Sequence, residues 1–246
     1  ETETGWLAGL ADRAVAASLA PLPGPVHLNI PLREPLTPAQ MPELPPPAPR
    51  RQRLSASLQA DPESLATLEQ CLASGNGAIV CGSEPLDAAT RRAVVEFAQR
   101  LRIPVLADLL SGLRCGTANP EILAHPDQVA RQAPPADWIL RLSGTPVTRA
   151  VNAWLQACRG KTQIVVSPHP RLADPEGLAT HILHAEPAQL LEKLAGTPAA
   201  AEWLPRFLQL DQSAAEAATS LCAGDEMFEG SDRKSTRLNS SHTIQS

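Results

Sequence analysis

The sequence predicts an α/β fold, a Rossmann-like parallel sheet with helices on both faces. Three observations carry this expectation. Apolar runs of strand length recur between residues 77 and 185. Amphipathic helical patterns alternate with them. Cap and turn residues mark the boundaries between the two. Runs that are apolar throughout, rather than every second residue, suit strands covered on both faces, as in parallel sheets.

The elements follow in order. Residues 5–19 (GWLAGLADRAVAASL) place Leu7, Leu10, Ala14 and Ala17 on one helical face. In GPVHLNIPLREPL (24–36), Val26 to Pro31 reads as a buried strand opened by Gly24-Pro25. Only one helix precedes it, so its sheet partners are missing from the preceding sequence. TPAQMPELPPPAPRRQR (37–53) is too rich in proline for a helix or a central strand and reads as an extended linker. Asp61-Pro62-Glu63 opens a helix with an N-cap, a first-turn proline and a first-turn acid. Leu65, Leu68 and Leu72 form its apolar face, and Gly75 and Gly77 end it.

GAIVCG (77–82) is the first strand of the sheet. Residues 86–102 form a helix with Val94, Phe97, Ala98 and Leu101 aligned. IPVLAD (103–108) and WILRLSG (138–144) are the next strands. Thr145-Pro146 is expected to cap a helix whose apolar face is Val147, Val151, Trp154, Leu155 and Cys158. QIVVS (163–167) and THILHA (180–185) complete the sheet. Pro187 opens a helix with Leu190, Leu191 and Leu194 inward and Gly196 at its end, and residues 201–221 are a further helix. DRKSTRLNSSH (232–242) resembles the conceptual translation of a sequencing-library adapter, so residues 231–246 are left out of the fold.

Composition excludes several classes. The net charge of −5 offers no basic footprint for nucleic acid. There is no apolar run long enough to span a membrane. Glu1-Thr2-Glu3-Thr4 is neither a signal peptide nor an initiator methionine, so the chain is expected to start inside a longer protein. Cys71, Cys81, Cys115, Cys158 and Cys222 lack C-x-x-C spacing, which fits reduced thiols in the cytoplasm.

Much familiar chemistry is absent. The first strand-to-helix turn, CGSEPLDAAT (81–90), has one glycine where a dinucleotide site wants G-x-G-x-x-G. Asp108 ends a strand where a ribose-binding acid could sit, and a turn cap is the alternative. His181 and His184 would share a helical face but point to opposite faces of a strand, which disfavours a metal. His169 lies in a proline-rich loop. Ser83 and Ser143 lack a nucleophile elbow. One place stands out. LRLSGTPVTR (140–149) puts a helix start after a strand, at the sheet edge where such domains bind ligands. Arg141 and Arg149, with Arg114 from the neighbouring region, could form a carboxylate or phosphate pocket. The alternative is that these arginines make surface or inter-domain ion pairs.

Here the residues carry a family likeness. GPVHLNIPLREPL resembles the last strand of the pyrimidine-binding domain in thiamine-diphosphate enzymes. IPVLADLLSGLRCG (103–116) and ADWILRLSGTPVTRAVNAWL (136–155) narrow the resemblance to the 2-succinyl-5-enolpyruvyl-6-hydroxy-3-cyclohexene-1-carboxylate synthase (MenD) family of quinone biosynthesis. The likeness covers roughly residues 5–220. It implies that residues 1–36 end a pyrimidine-binding domain, 37–57 are a linker, 58–197 are a central domain and 198–230 begin a diphosphate-binding domain. It implies a cytoplasmic enzyme using thiamine diphosphate and Mg2+, acting on 2-oxoglutarate and isochorismate as a homodimer or homotetramer. The cofactor does the carbanion chemistry. The family's activating glutamate and metal ligands fall outside these residues, so catalytic, cofactor and metal residues here are none, Asp225 included. This piece alone is then expected to be inactive. The resemblance also suggests feedback inhibition through arginines, for which Arg114, Arg141 and Arg149 are the candidates.

Two other readings compete. One is an acetolactate-synthase-like enzyme, whose central domain can hold FAD. The other is a stand-alone anion-binding regulatory module, against which the orphan strand argues. The same exposed strand predicts poor solubility for residues 1–246, improved by trimming to about 55–197.

Overall fold

The computed structural model describes residues 2–19, 23–32, 34, 36, 56–73, 75–115, 119–169 and 174–222, the side chains from residue 6 onward. Most of the expected linker (37–55) and the adapter-like stretch lie outside these residues.

Five strands form one parallel sheet: β1 (Gly77–Cys81), β2 (Val105–Ala107), β3 (Trp138–Leu142), β4 (Thr162–Ser167) and β5 (His181–His184), in the order β2-β1-β3-β4-β5. The seven helices described are α1 (Thr2–Leu19), α2 (Pro62–Leu72), α3 (Ala88–Leu101), α4 (Pro126–Ala130), α5 (Arg149–Ala157), α6 (Pro187–Lys193) and α7 (Trp203–Cys222). The Rossmann-like expectation is met. This strand order is one of the two common doubly wound arrangements. The chain winds outward from β1 to β2, then back across to β3, β4 and β5. Right-handed crossovers therefore put α3 on one face and α4 and α5 on the other. α6 packs with α3, and α4 touches both α5 and α7.

Local chemistry explains the elements. Asp61 accepts the Ser64 N–H at 2.8 Å and starts α2, with Pro62 in its first turn. Asp87 caps α3 in the same way through Thr90. Every residue of β1, β2 and β3 is buried, as their continuous apolar runs require. The largest fully buried side chains are Trp138, Phe97 and Phe207.

The structure departs from expectation in several places. Residues 23–32 form no strand, and Val26, Leu28, Ile30 and Leu32 are exposed. A strand needs a ladder partner, and none pairs with it among the described residues. The third sheet helix begins at Arg149 rather than at Thr145, because the preceding residues form a turn, and Val147 faces outward. α4 and the 3-10 turn Leu109–Ser111 were not foreseen. Finally, β5 is an edge strand only half covered, and Ile182 is exposed. Residues 198–230 were expected to open a further domain. In the structure, Trp203 and Phe207 of α7 sit in the core of the sheet domain.

Candidate functional site

In a doubly wound sheet, ligands bind beyond the carboxyl ends of the strands, where the winding direction reverses. Here that point lies between β1 and β3. The loops leaving these strands are joined backbone to backbone. The Gly82 N–H donates to the Leu142 carbonyl at 2.8 Å, and the Glu84 N–H to the Ser143 carbonyl at 2.9 Å. The Ser143 hydroxyl donates to the Glu84 carbonyl. Ser143 and Gly144 both have positive φ, 63° and 79°, which bends the loop toward β1. A Cβ on Gly82 would lie 2.2 Å from the Gly144 carbonyl oxygen and 2.6 Å from that of Ser143. Both obstacles are backbone, which cannot swing aside. Gly82→Ala should therefore lower stability by about 3 kcal/mol, read as a fall in denaturation midpoint. An unchanged midpoint would show that the loops are not clamped together.

Asp108 is a turn cap. Its Oδ1 accepts the Leu110 N–H at 3.0 Å, and its Oδ2 accepts the Val147 N–H at 2.9 Å, tying the end of β2 to the loop after β3. The edge is thus bridged twice, once from β1 and once from β2.

The structure does not gather the three candidate arginines. Arg141 lies inside β3 and is buried. It forms an ion pair with Asp174 at 2.7 Å, and each side chain is only 3% exposed. Burial pushes the Asp174 carboxyl upward, but the Ala179 N–H and the Arg141 guanidinium outweigh it and hold it below the usual carboxylate value of 3.8. Arg114 is exposed, donates to the Ala124 carbonyl and lines a cavity beside β2. Arg149 is exposed at the start of α5 and lines a different groove, with Arg131. The expected shared pocket is replaced by three separate places. The signal for Arg141 was legible: a lone arginine in an apolar strand requires a buried counter-ion.

His181 and His184 stand on β5 with opposite exposure, as strand geometry dictates. His181 Nε2 lies 3.8 Å from Cys71 Sγ, and its Nδ1 meets the Thr180 hydroxyl at 2.9 Å. Burial raises the pKa of Cys71, which keeps it a thiol. Among the described residues no three His, Cys, Asp or Glu side chains gather to hold a metal ion, and no helix is long and apolar enough to cross a membrane.

Comparison with known proteins gives the fold its context. The family described as "Middle domain of thiamine pyrophosphate" matches residues 55–231. The chain is similar to 2-succinyl-5-enolpyruvyl-6-hydroxy-3-cyclohexene-1-carboxylate synthases. The relative from Dechloromonas aromatica is 33% identical over 222 residues, 85% of this chain and 41% of its own length. Those from Rubrobacter xylanophilus and Geobacillus thermodenitrificans are 33% and 36% identical, over 80% and 64% of this chain and 37% and 28% of their own lengths. The chain thus spans well under half the length of these curated relatives. The match includes every element of the sheet domain and α7 with it, and on this ground the chain belongs to the family of thiamine pyrophosphate enzyme middle domains.

Proposed function

We propose that this chain is the central part of a synthase that decarboxylates 2-oxoglutarate and adds the succinyl unit to isochorismate. The carrying observation is its 33% identity, over 85% of its length, with a relative of that name. The proposed synthase works in the cytoplasm as a homodimer or homotetramer. Residues 1–36 end its pyrimidine-binding domain, 37–57 link, and the central domain follows from residue 58.

Thiamine diphosphate and Mg2+ are assigned to parts of the synthase outside these residues, as the resemblance implies, and this piece alone to no turnover. Its own work is structural: a closed, rigid sheet that holds neighbouring domains in position. Feedback by an acidic product would act through Arg149, which stands exposed with Arg131 in a groove lined by no carboxylate. Its alanine replacement in the whole synthase should leave turnover intact and blunt inhibition. Undiminished inhibition would remove it from that role.

The function is tested by complementation. The complete reading frame containing these residues should restore quinone-dependent growth to a strain lacking this synthase. Failure to restore growth, with soluble protein present, overturns the reading.

A further inference from the structure

A cavity of about 340 Å3 opens at the carboxyl edge of the sheet, between the end of β2 and the starts of α4 and α5. That is the low end of the range for small-molecule sites. Leu106, Leu109, Leu110, Val147 and Val151 give it an apolar wall. Leu109, Leu110 and Val147 are each more than half exposed, so the wall continues outward as an apolar lip.

Four polar or charged residues share the cavity: Asp108, Arg114, Asp127 and Thr148. Asp108 is committed, with both oxygens accepting backbone N–H groups. Arg114 gives one N–H to the Ala124 carbonyl and leaves the rest of its donor fork for another acceptor. Asp127 Oδ1 and Thr148 Oγ1 are buried without a hydrogen-bond partner. Thr148 sits at the N-cap of α5 yet makes no side-chain cap bond. Buried acceptors left without a donor are costly, and a cation beside the Asp127 carboxylate offsets part of that cost.

The cavity thus offers one guanidinium, a second carboxylate beside the Asp108 group already held by backbone N–H donors, and a branched apolar surface. A plain organic anion would meet Arg114 but be repelled by Asp127. A plain amine would suffer the reverse. A molecule carrying both charges satisfies both. We propose that this cavity binds a small zwitterion, an aliphatic α-amino acid. Its carboxylate lies on Arg114, its ammonium stands beside the Asp127 carboxylate, and its side chain covers Leu109, Leu110 and Val147. The proposal does not depend on the synthase reading, since binding to this chain is measured without turnover.

The test is calorimetric titration of the full 246-residue chain with L-leucine, 4-methylpentanoate, which lacks the ammonium, and 3-methylbutylamine, which lacks the carboxylate. Leucine should bind saturably, and each analogue at least about tenfold more weakly. Arg114→Ala and Asp127→Asn, each shown folded by circular dichroism, should each weaken leucine by about tenfold. Arg114→Lys should keep part of the affinity, because it retains the charge. Absence of saturable leucine binding up to about 10 mM overturns the proposal. So does 4-methylpentanoate binding as tightly as leucine, which would mark a plain anion site.

Discussion

Ending the chain after residue 197 should abolish cooperative unfolding of the sheet domain, whereas ending it after residue 222 should preserve it. The reason lies in the first turns of α7. Phe207 is fully buried, and Trp203 nearly so. The Trp203 indole N–H donates to the Gly77 carbonyl at 2.7 Å, so α7 is tied to the first residue of β1. Trp203 packs edge-on against Phe207 at 4.9 Å, and Phe207 in turn meets Trp154 at 6.4 Å. Further along, Asp211 accepts the N–H groups of Ala124 and His125 at 3.0 and 2.7 Å, clamping the approach to α4. Loss of one such buried aromatic costs about 3–5 kcal/mol. Loss of both approaches the whole stability of a domain, about 5–15 kcal/mol. Trp203→Ala alone should lower the midpoint by roughly 10 °C. Thermal scans of residues 56–197 and 56–222 decide the matter. Equal, sharp transitions would show that α7 is dispensable. The structure thus moves the trimming point suggested by the sequence from residue 197 to residue 222, and the family match to residue 231 includes all of α7.

Arg141→Ala should be the most damaging single charge removal in the chain. It would leave Asp174 buried and uncompensated, at a cost of about 3–5 kcal/mol. Asp174 also accepts the Ala179 N–H at 2.8 Å, so the pair holds the loop between β4 and β5 against β3. Arg141→Met with Asp174→Asn should recover much of the loss, since replacing a buried ion pair by neutral side chains is often tolerated. The pair also sets an acid limit. The pKa of Asp174 is lowered in the folded chain, so its contribution is complete above 3.8, the ordinary carboxylate value, and is lost as pH falls through the lowered value. Between pH 4 and more acid conditions the native chain should therefore lose stability more steeply than Arg141→Ala. Parallel stability-pH curves for the two proteins would exclude this role for Asp174.

The strands were legible because burial on both faces leaves an uninterrupted apolar run, as in GAIVC and WILRL. Helices α2 and α3 were legible from Asp61 and Asp87, whose carboxylates fix the first turns. α4 was not: five residues are too short to show a helical period. The start of α5 was misplaced because Ser143 and Gly144, both at positive φ, spend Thr145 to Val147 on a turn that Asp108 then anchors. Gly144 marks this turn in the sequence, but a serine at positive φ gives no signal of its own, so the turn's extent was not legible. Val26 to Pro31 has the composition of a strand, yet composition cannot supply a ladder partner. At the candidate site, the sequence grouped three arginines that the structure places apart. Arg141 sits within the pleat, where its side chain is committed to one face of β3, while Arg114 and Arg149 stand on surfaces set by tertiary packing.

The most direct test of the synthase reading is a two-substrate assay on protein translated from the complete reading frame. With thiamine diphosphate and Mg2+ supplied, 2-oxoglutarate should be consumed and carbon dioxide released over many turnovers only when isochorismate is present to accept the succinyl unit. Consumption of pyruvate with 2-oxoglutarate untouched would contradict the account and place the chain in an acetolactate-forming enzyme instead.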